Sequence, residues 1–75
     1  MDLSKVKVGK TVIIKKINLK GTLKRKFMDM GILEGEMVTL EKIAPMGDPL
    51  EVTIKNYKLS LRKNEASLIE VEEVQ

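Results

Sequence analysis

The sequence predicts a mainly β fold: a small closed barrel of about five short strands, with one short helix after the first strand. Three observations carry this expectation. Apolar and polar residues alternate with a period of two in several short runs, as half-buried strands require. The alternation slips by one residue at Lys42-Ile43, the signature of a bulge that bends a strand. Turn residues separate the runs, and both prolines fall in one loop, Pro45-Met46-Gly47-Asp48-Pro49. Proline fixes φ and glycine permits conformations other residues avoid, so this loop is a rigid, sharply turned connection. So many short strands in 75 residues suit a closed barrel, because closure removes unpaired edges.

The elements follow in order. Thr11 to Ile17 is β-branched and apolar, with Val12 and Ile14 on one side, and reads as the first strand. Leu19-Lys20-Gly21 ends it. Thr22 is then placed as a helix N-cap, its hydroxyl accepting an orphan N–H. Leu23, Phe27 and Met30 stand at i, i+4 and i+7, one helical face. Gly31 sits where a helix stops on a left-handed residue, and Ile32 is placed to fold back on Phe27. Residues 23–30 are therefore expected to form a helix of about two turns.

Glu34-Gly35 reads as a turn. Val38 and Leu40 then point one way and Thr39 and Glu41 the other, up to the bulge. Beyond the proline loop Leu50, Val52 and Ile54 face inward, and Glu51, Thr53 and Lys55 face outward. Lys55-Asn56 is read as a two-residue hairpin turn, because asparagine tolerates positive φ. Tyr57, Leu59 and Leu61 are expected to continue the inner face. Lys63 to Ala66 reads as a single helical turn, with Arg62 and Glu65 spaced to form an ion pair across it. Leu68 to Val71 is the closing strand, with Ile69 and Val71 inward.

Composition narrows the function classes. The chain is one small domain, residues 1–75, with no cysteine and no histidine. That excludes a disulfide framework and the common zinc sites. It also removes the usual general base and the thiol nucleophile, and leaves Ser4, Ser60 and Ser67 without an activating histidine. Gly31 and Gly35 complete neither nucleotide-binding fingerprint. An enzyme is not expected, and no cofactor is called for. No apolar run approaches the roughly 20 residues of a membrane helix, and Met-Asp-Leu-Ser-Lys lacks the apolar core of a signal peptide. The expectation is a soluble cytoplasmic protein.

The net charge of +3 conceals an asymmetry. Residues 1–26 hold nine Lys/Arg against one acid, Asp2, a balance of +8. Residues 27–75 hold five Lys/Arg against ten acids, a balance of −5. A basic front half suits nucleic acid, anionic lipid or an acidic protein, and equally an ordinary solvated face. Phe27 and Tyr57 are the only aromatics, which weighs against a single-strand binder that stacks bases. A nucleic-acid-binding barrel stays as an alternative on charge.

A direct ferrous-iron chaperone is a second alternative. Asp48, with Glu34 and Glu36, offers oxygen donors, but hard cations take six or more oxygens from a dense cluster. The sulfurs of Met28, Met30 and Met46 suit copper(I) better than iron. Asp48 is therefore read as hydrogen-bonded within its own turn. Met28 lies off the helix's inner face, either covered by a neighbouring segment or exposed beside Lys24 and Arg25 as an adaptable contact for a partner. Lys24, Arg25, Met28, Met46 and Asp48 are the candidate partner-contact residues; no metal or catalytic residue is assigned.

Three segments carry a family resemblance. Phe27-Met28-Asp29-Met30-Gly31-Ile32-Leu33-Glu34-Gly35 is similar to a helix-to-strand element L-x-x-x-G-[IL]-x-x-G. Ala44-Pro45-Met46-Gly47-Asp48-Pro49 is similar to a loop A-P-x-G-D-P. Leu59-Ser60-Leu61-Arg62-Lys63-Asn64-Glu65-Ala66, followed by Ile69 and Val71, is similar to [IL]-x-L-R-x-x-E-A-x-x-I-x-V. In this order and spacing they resemble the ferrous iron transport protein A (FeoA-type) domain family over nearly the whole chain. Many members carry glycine at Asn56 and Arg-Leu at Lys26-Phe27; both replacements keep the local chemistry. The resemblance implies an SH3-like barrel in a small bacterial cytosolic protein. It implies a role beside the ferrous iron transporter FeoB, through that transporter's cytoplasmic G-protein region. A similar domain ends some metal-dependent repressors; a chain of this length beginning at methionine fits the standalone accessory better.

Overall fold

The alternating runs form five antiparallel strands in one sheet, ordered β4-β3-β2-β1-β5. They are β1 (Thr11–Ile17), β2 (Met37–Ile43), β3 (Leu50–Ile54), β4 (Tyr57–Leu61) and β5 (Ile69–Glu73). Helix α1 (Gly21–Asp29) follows β1, and the single-turn α2 (Lys63–Ala66) leads from β4 to β5 across the two ends of the strand order. This computed structural model describes residues 1–74.

The core forms where the period-two pattern places it. Val12, Ile14, Val38, Leu40, Leu50, Val52, Ile54, Leu61, Ile69 and Val71 are buried, and among the described residues no polar or charged side chain is buried with them. Burying a side chain of this size contributes about 1.5–3 kcal/mol, so this set supplies most of what holds so small a domain together.

Two bulges curve the sheet. One lies between Leu40 and Lys42, one residue ahead of the slip visible in the sequence. The other lies between Ile14 and Lys16, where β1 pairs with β5. It brings Ile17 back to the buried side, three residues after Ile14.

Helix α1 starts earlier than its sequence indicates. Lys20 is the N-cap, without a side-chain hydrogen bond, and Thr22 lies inside the first turn. Gly21 at φ +63° makes the entry, a conformation that costs glycine little. The stop is as expected. Gly31 sits at φ +93°, its N–H donates to the Met28 carbonyl, and the Ile32 N–H donates to the Phe27 carbonyl, each at 3.0 Å. These are the two bonds of a Schellman motif. Phe27 and Ile32 are buried, with Leu23 and Met30 packed against the core.

Other expectations need correction. Tyr57 is 40% exposed, not inward; it pairs with Ile54 at the hairpin end, and its hydroxyl lies over Gly31. The positive φ of that hairpin belongs to Lys55, at +57°, not to Asn56. Leu68 is exposed and precedes β5, its N–H donating to the Glu65 carbonyl at 3.1 Å. Glu65 forms no ion pair with Arg62. Its Oε1 accepts from the Arg62 backbone N–H at 2.8 Å, because an unpaired N–H at a helix start is the nearer and better-oriented donor.

The N-terminus adds an element that alternation does not reveal. A 3-10 helix, Leu3–Lys5, is capped by Asp2, which accepts from the Ser4 N–H at 2.9 Å and from the Ser4 hydroxyl. It buries Leu3, and Val6 follows it into the core. The Asp2 backbone also pairs antiparallel with that of Glu70, and the Val71 N–H donates to the Met1 carbonyl at 2.8 Å, so this segment covers the outer edge of β5.

Candidate partner-contact surface

Helix α1 presents its outer face because Leu23, Phe27 and Met30 take the inner one. Lys24, Arg25 and Met28 come together there and, with Gly21 and Asp29, line one shallow concavity. Lys24 and Met28 also line a neighbouring one with Ile17, Leu33 and Glu34. Met28 is 44% exposed, which decides between the two sequence readings: it lies open beside the cations. Among the described residues neither Lys24 nor Arg25 is held in an ion pair.

No residue of the proline loop lines either of these concavities. The loop's backbone is braced by the Gly47 N–H donating to the Ala44 carbonyl at 2.7 Å and the Ala44 N–H donating to the Pro49 carbonyl at 3.1 Å. Met46 projects from it almost wholly exposed, at 93%. Asp48 does not close its own turn. Its Oδ1 accepts from the Lys63 backbone N–H at 3.0 Å, tying the loop to the start of α2. With Arg62, Asp48 lines two concavities, one toward Pro49, Ser60 and Leu61, the other toward Ser4, Lys63, Asn64 and Ser67. The five candidate residues thus form two groups, Lys24–Arg25–Met28 and Met46–Asp48. Sequence reading overlooked Arg62 as a neighbour of Asp48, and only the long-range fold brings them together.

Metal-ligating chemistry finds no cluster. Among the described residues, no three or more His, Cys, Asp or Glu gather to hold a metal ion. Glu36 faces Lys55 instead, Oε2 to Nζ 3.7 Å.

Folding also redistributes the charge asymmetry. The basic β1 pairs with the acidic β5: Lys15 Nζ lies 3.3 Å from Glu72 Oε2, and Lys16 stands opposite Glu70. Glu70 also accepts from the Asn18 amide at 3.1 Å. Part of the basic excess is offset within the molecule, and the rest remains on α1 and ahead of β1.

A family model described as the FeoA domain matches residues 1–73. The chain is similar to a Porphyromonas gingivalis protein described as an Fe(2+) transport protein A/Fe(2+) transporter FeoB fusion, 33% identical over 72 residues. Those cover 96% of this chain and 8% of that one. It is also similar to the solution structure of iron(II) transport protein A from Clostridium thermocellum. That match has a TM-score of 0.94 at 42% identity, over 99% of this chain and 46% of that one. The crystal structure of Stenotrophomonas maltophilia FeoA, described as an SH3 domain protein, matches with a TM-score of 0.78 at 24% identity. It covers 96% of this chain and 89% of that one, and it supports the SH3-like architecture. The chain therefore spans less than half of the first two relatives.

Proposed function

This chain belongs to the FeoA domain family, and from that premise we propose that it serves ferrous iron uptake as a non-enzymatic interaction module for an FeoB-type transporter. It docks on the transporter's cytoplasmic G-protein region. One observation carries this reading: in the Porphyromonas gingivalis relative, a matching domain is fused to the transporter. A covalent link holds two partners at an effective concentration on the order of millimolar, so fusion supports a weak contact that a separate domain makes less often. The module therefore binds weakly and reversibly.

The composition supports a binding role over catalysis, since the chain has no histidine, no cysteine and no nucleotide fingerprint. No helix among the described residues is long and apolar enough to cross a membrane, and in this reading the spanning segments belong to the transporter. The contact surface is the outer face of α1. Arg25 offers a planar guanidinium for carboxylates, Lys24 a mobile charge, and Met28 a polarisable side chain that adapts to an irregular surface. Met46 extends a second contact from the proline loop, and Asp48 holds that loop in place.

Binding to the soluble cytoplasmic domain of the cognate transporter tests the reading, with full-length transporter in nanodiscs as a second target. Weak binding with chemical-shift changes centred on Lys24, Arg25 and Met28 is expected. No binding to either target, up to hundreds of micromolar, overturns it (a range set by the weak end of specific interfaces).

A further inference from the structure

The segment before β1 carries a feature that the transporter reading does not use. Lys7-Val8-Gly9-Lys10 is a tight turn, closed by the Lys10 N–H donating to the Lys7 carbonyl at 3.1 Å, with Gly9 at φ +91°. Two further bonds fix it to β2: the Gly9 N–H donates to the Leu40 carbonyl at 2.7 Å, and the Leu40 N–H to the Lys10 carbonyl at 3.0 Å. The turn therefore holds Val8 out from the body, 55% exposed, between two lysines. Beside it, Lys5, Lys7 and Lys10 share a groove with Val6, Val12 and Val74, where Glu73 is the one acid. Among the described residues none of the three lysines is held in an ion pair.

We infer that this lysine-ringed turn is a docking surface for a bilayer carrying anionic lipids, with Val8 entering the headgroup region. Charge complementarity commits the surface to an anionic partner. The residue types then choose among anionic partners. All three cations are lysine, a compact hydrated point charge suited to a diffuse negative surface. The chain's arginines, whose planar forks suit carboxylates and phosphates, are Arg25 and Arg62, both elsewhere. The groove and turn hold no aromatic side chain for stacking a base. A fixed aliphatic tip between lysines is what an interface with acyl chains rewards, since buried CH₂ groups and headgroup charges act together. The inference stands whether or not the α1 face binds a transporter.

Vesicle flotation of the full chain tests it, with phosphatidylcholine alone and with phosphatidylcholine mixed with phosphatidylglycerol. Binding is expected only to the mixed vesicles, weakening as salt rises. Replacing one of Lys5, Lys7 or Lys10 by Gln should weaken it about fivefold, the effect of one cation near such a surface. The triple variant and Val8→Asp should each abolish it, with far-UV circular dichroism unchanged. A triple Gln variant at Lys24, Arg25 and Lys26 removes equal charge from α1 and should weaken binding far less. Absence of binding at low salt overturns the inference. So does an equal loss in the α1 triple variant, or retention by Val8→Asp. Binding to duplex DNA that is as tight and independent of Val8 overturns it in favour of a nucleic-acid surface.

Discussion

Asp48 accepts a hydrogen bond from the backbone N–H of Lys63 at 3.0 Å, across fifteen residues of sequence. Lys63 is the first residue of α2, and Glu65 accepts from the preceding Arg62 N–H at 2.8 Å. Two carboxylates thus satisfy two orphan donors of one short helix, one from within the helix and one from the proline loop. A helix of one turn cannot hold itself by its own ladder, so its ends decide whether it forms.

Asp48→Ala should therefore lower stability by about 1 kcal/mol, within the range for losing a helix-capping side chain. Asp48→Asn keeps an oxygen acceptor and should cost less. Urea denaturation followed by circular dichroism measures both. If the two variants behave alike, acceptor geometry is not what matters at this position.

Gly31 and Tyr57 form a second coupled pair. A Cβ on Gly31 would stand 2.7 Å from the Tyr57 hydroxyl oxygen, and Gly31 has φ +93°. Gly31→Ala meets both a backbone penalty of about 1–2 kcal/mol and a clash with the end of a side chain that has room to shift. Its cost should exceed about 1 kcal/mol, and Tyr57→Phe should recover part of it by removing the clashing oxygen. A double-mutant cycle in thermal denaturation reads the coupling. Strict additivity would place the whole cost in the backbone.

The N-terminal 3-10 helix counts as part of the core. Leu3 is 1% exposed, as buried as the strand residues Val12 and Leu50. Leu3→Ala should cost about 2–5 kcal/mol, the usual range for a large-to-small change in a packed interior. A domain of 75 residues has about 4–11 kcal/mol in total, so the variant should melt far earlier and expose the edge of β5 to faster hydrogen exchange.

What the sequence reveals here is what is local. The alternation in β2 and β3, the bulge near Lys42 and the Gly31 stop depend on residues within a few positions of one another, and each is found. The partners of Asp48 and Tyr57 are distant in the chain, and no local pattern indicates them. Tyr57 continues the alternation of β4, yet it sits at the hairpin end, beyond the body of the core, and leans over Gly31. Leu3 and Val6 form a core segment too short for a period to show. The candidate contact residues split for the same reason. Lys24, Arg25 and Met28 share a face because helical spacing brings them together, while Met46 and Asp48 depend on a loop whose position the tertiary fold sets.

That separation makes the partner reading testable in parts. Lys24→Glu and Arg25→Glu reverse charge on an exposed helix, where a change of sign costs the fold little. Both should weaken binding to the transporter's cytoplasmic domain by tenfold or more together, about 1.4 kcal/mol, with the melting temperature nearly unchanged. Met28→Ala should weaken it without changing its salt dependence, because it removes contact area and no charge. Asp48→Ala should act mainly through stability, since its carboxylate already serves Lys63. Isothermal titration at two salt concentrations separates these outcomes. If Met46→Ala abolishes binding while the α1 variants leave it intact, the partner sits on the proline loop instead. The basic face of α1 is then a solvated surface.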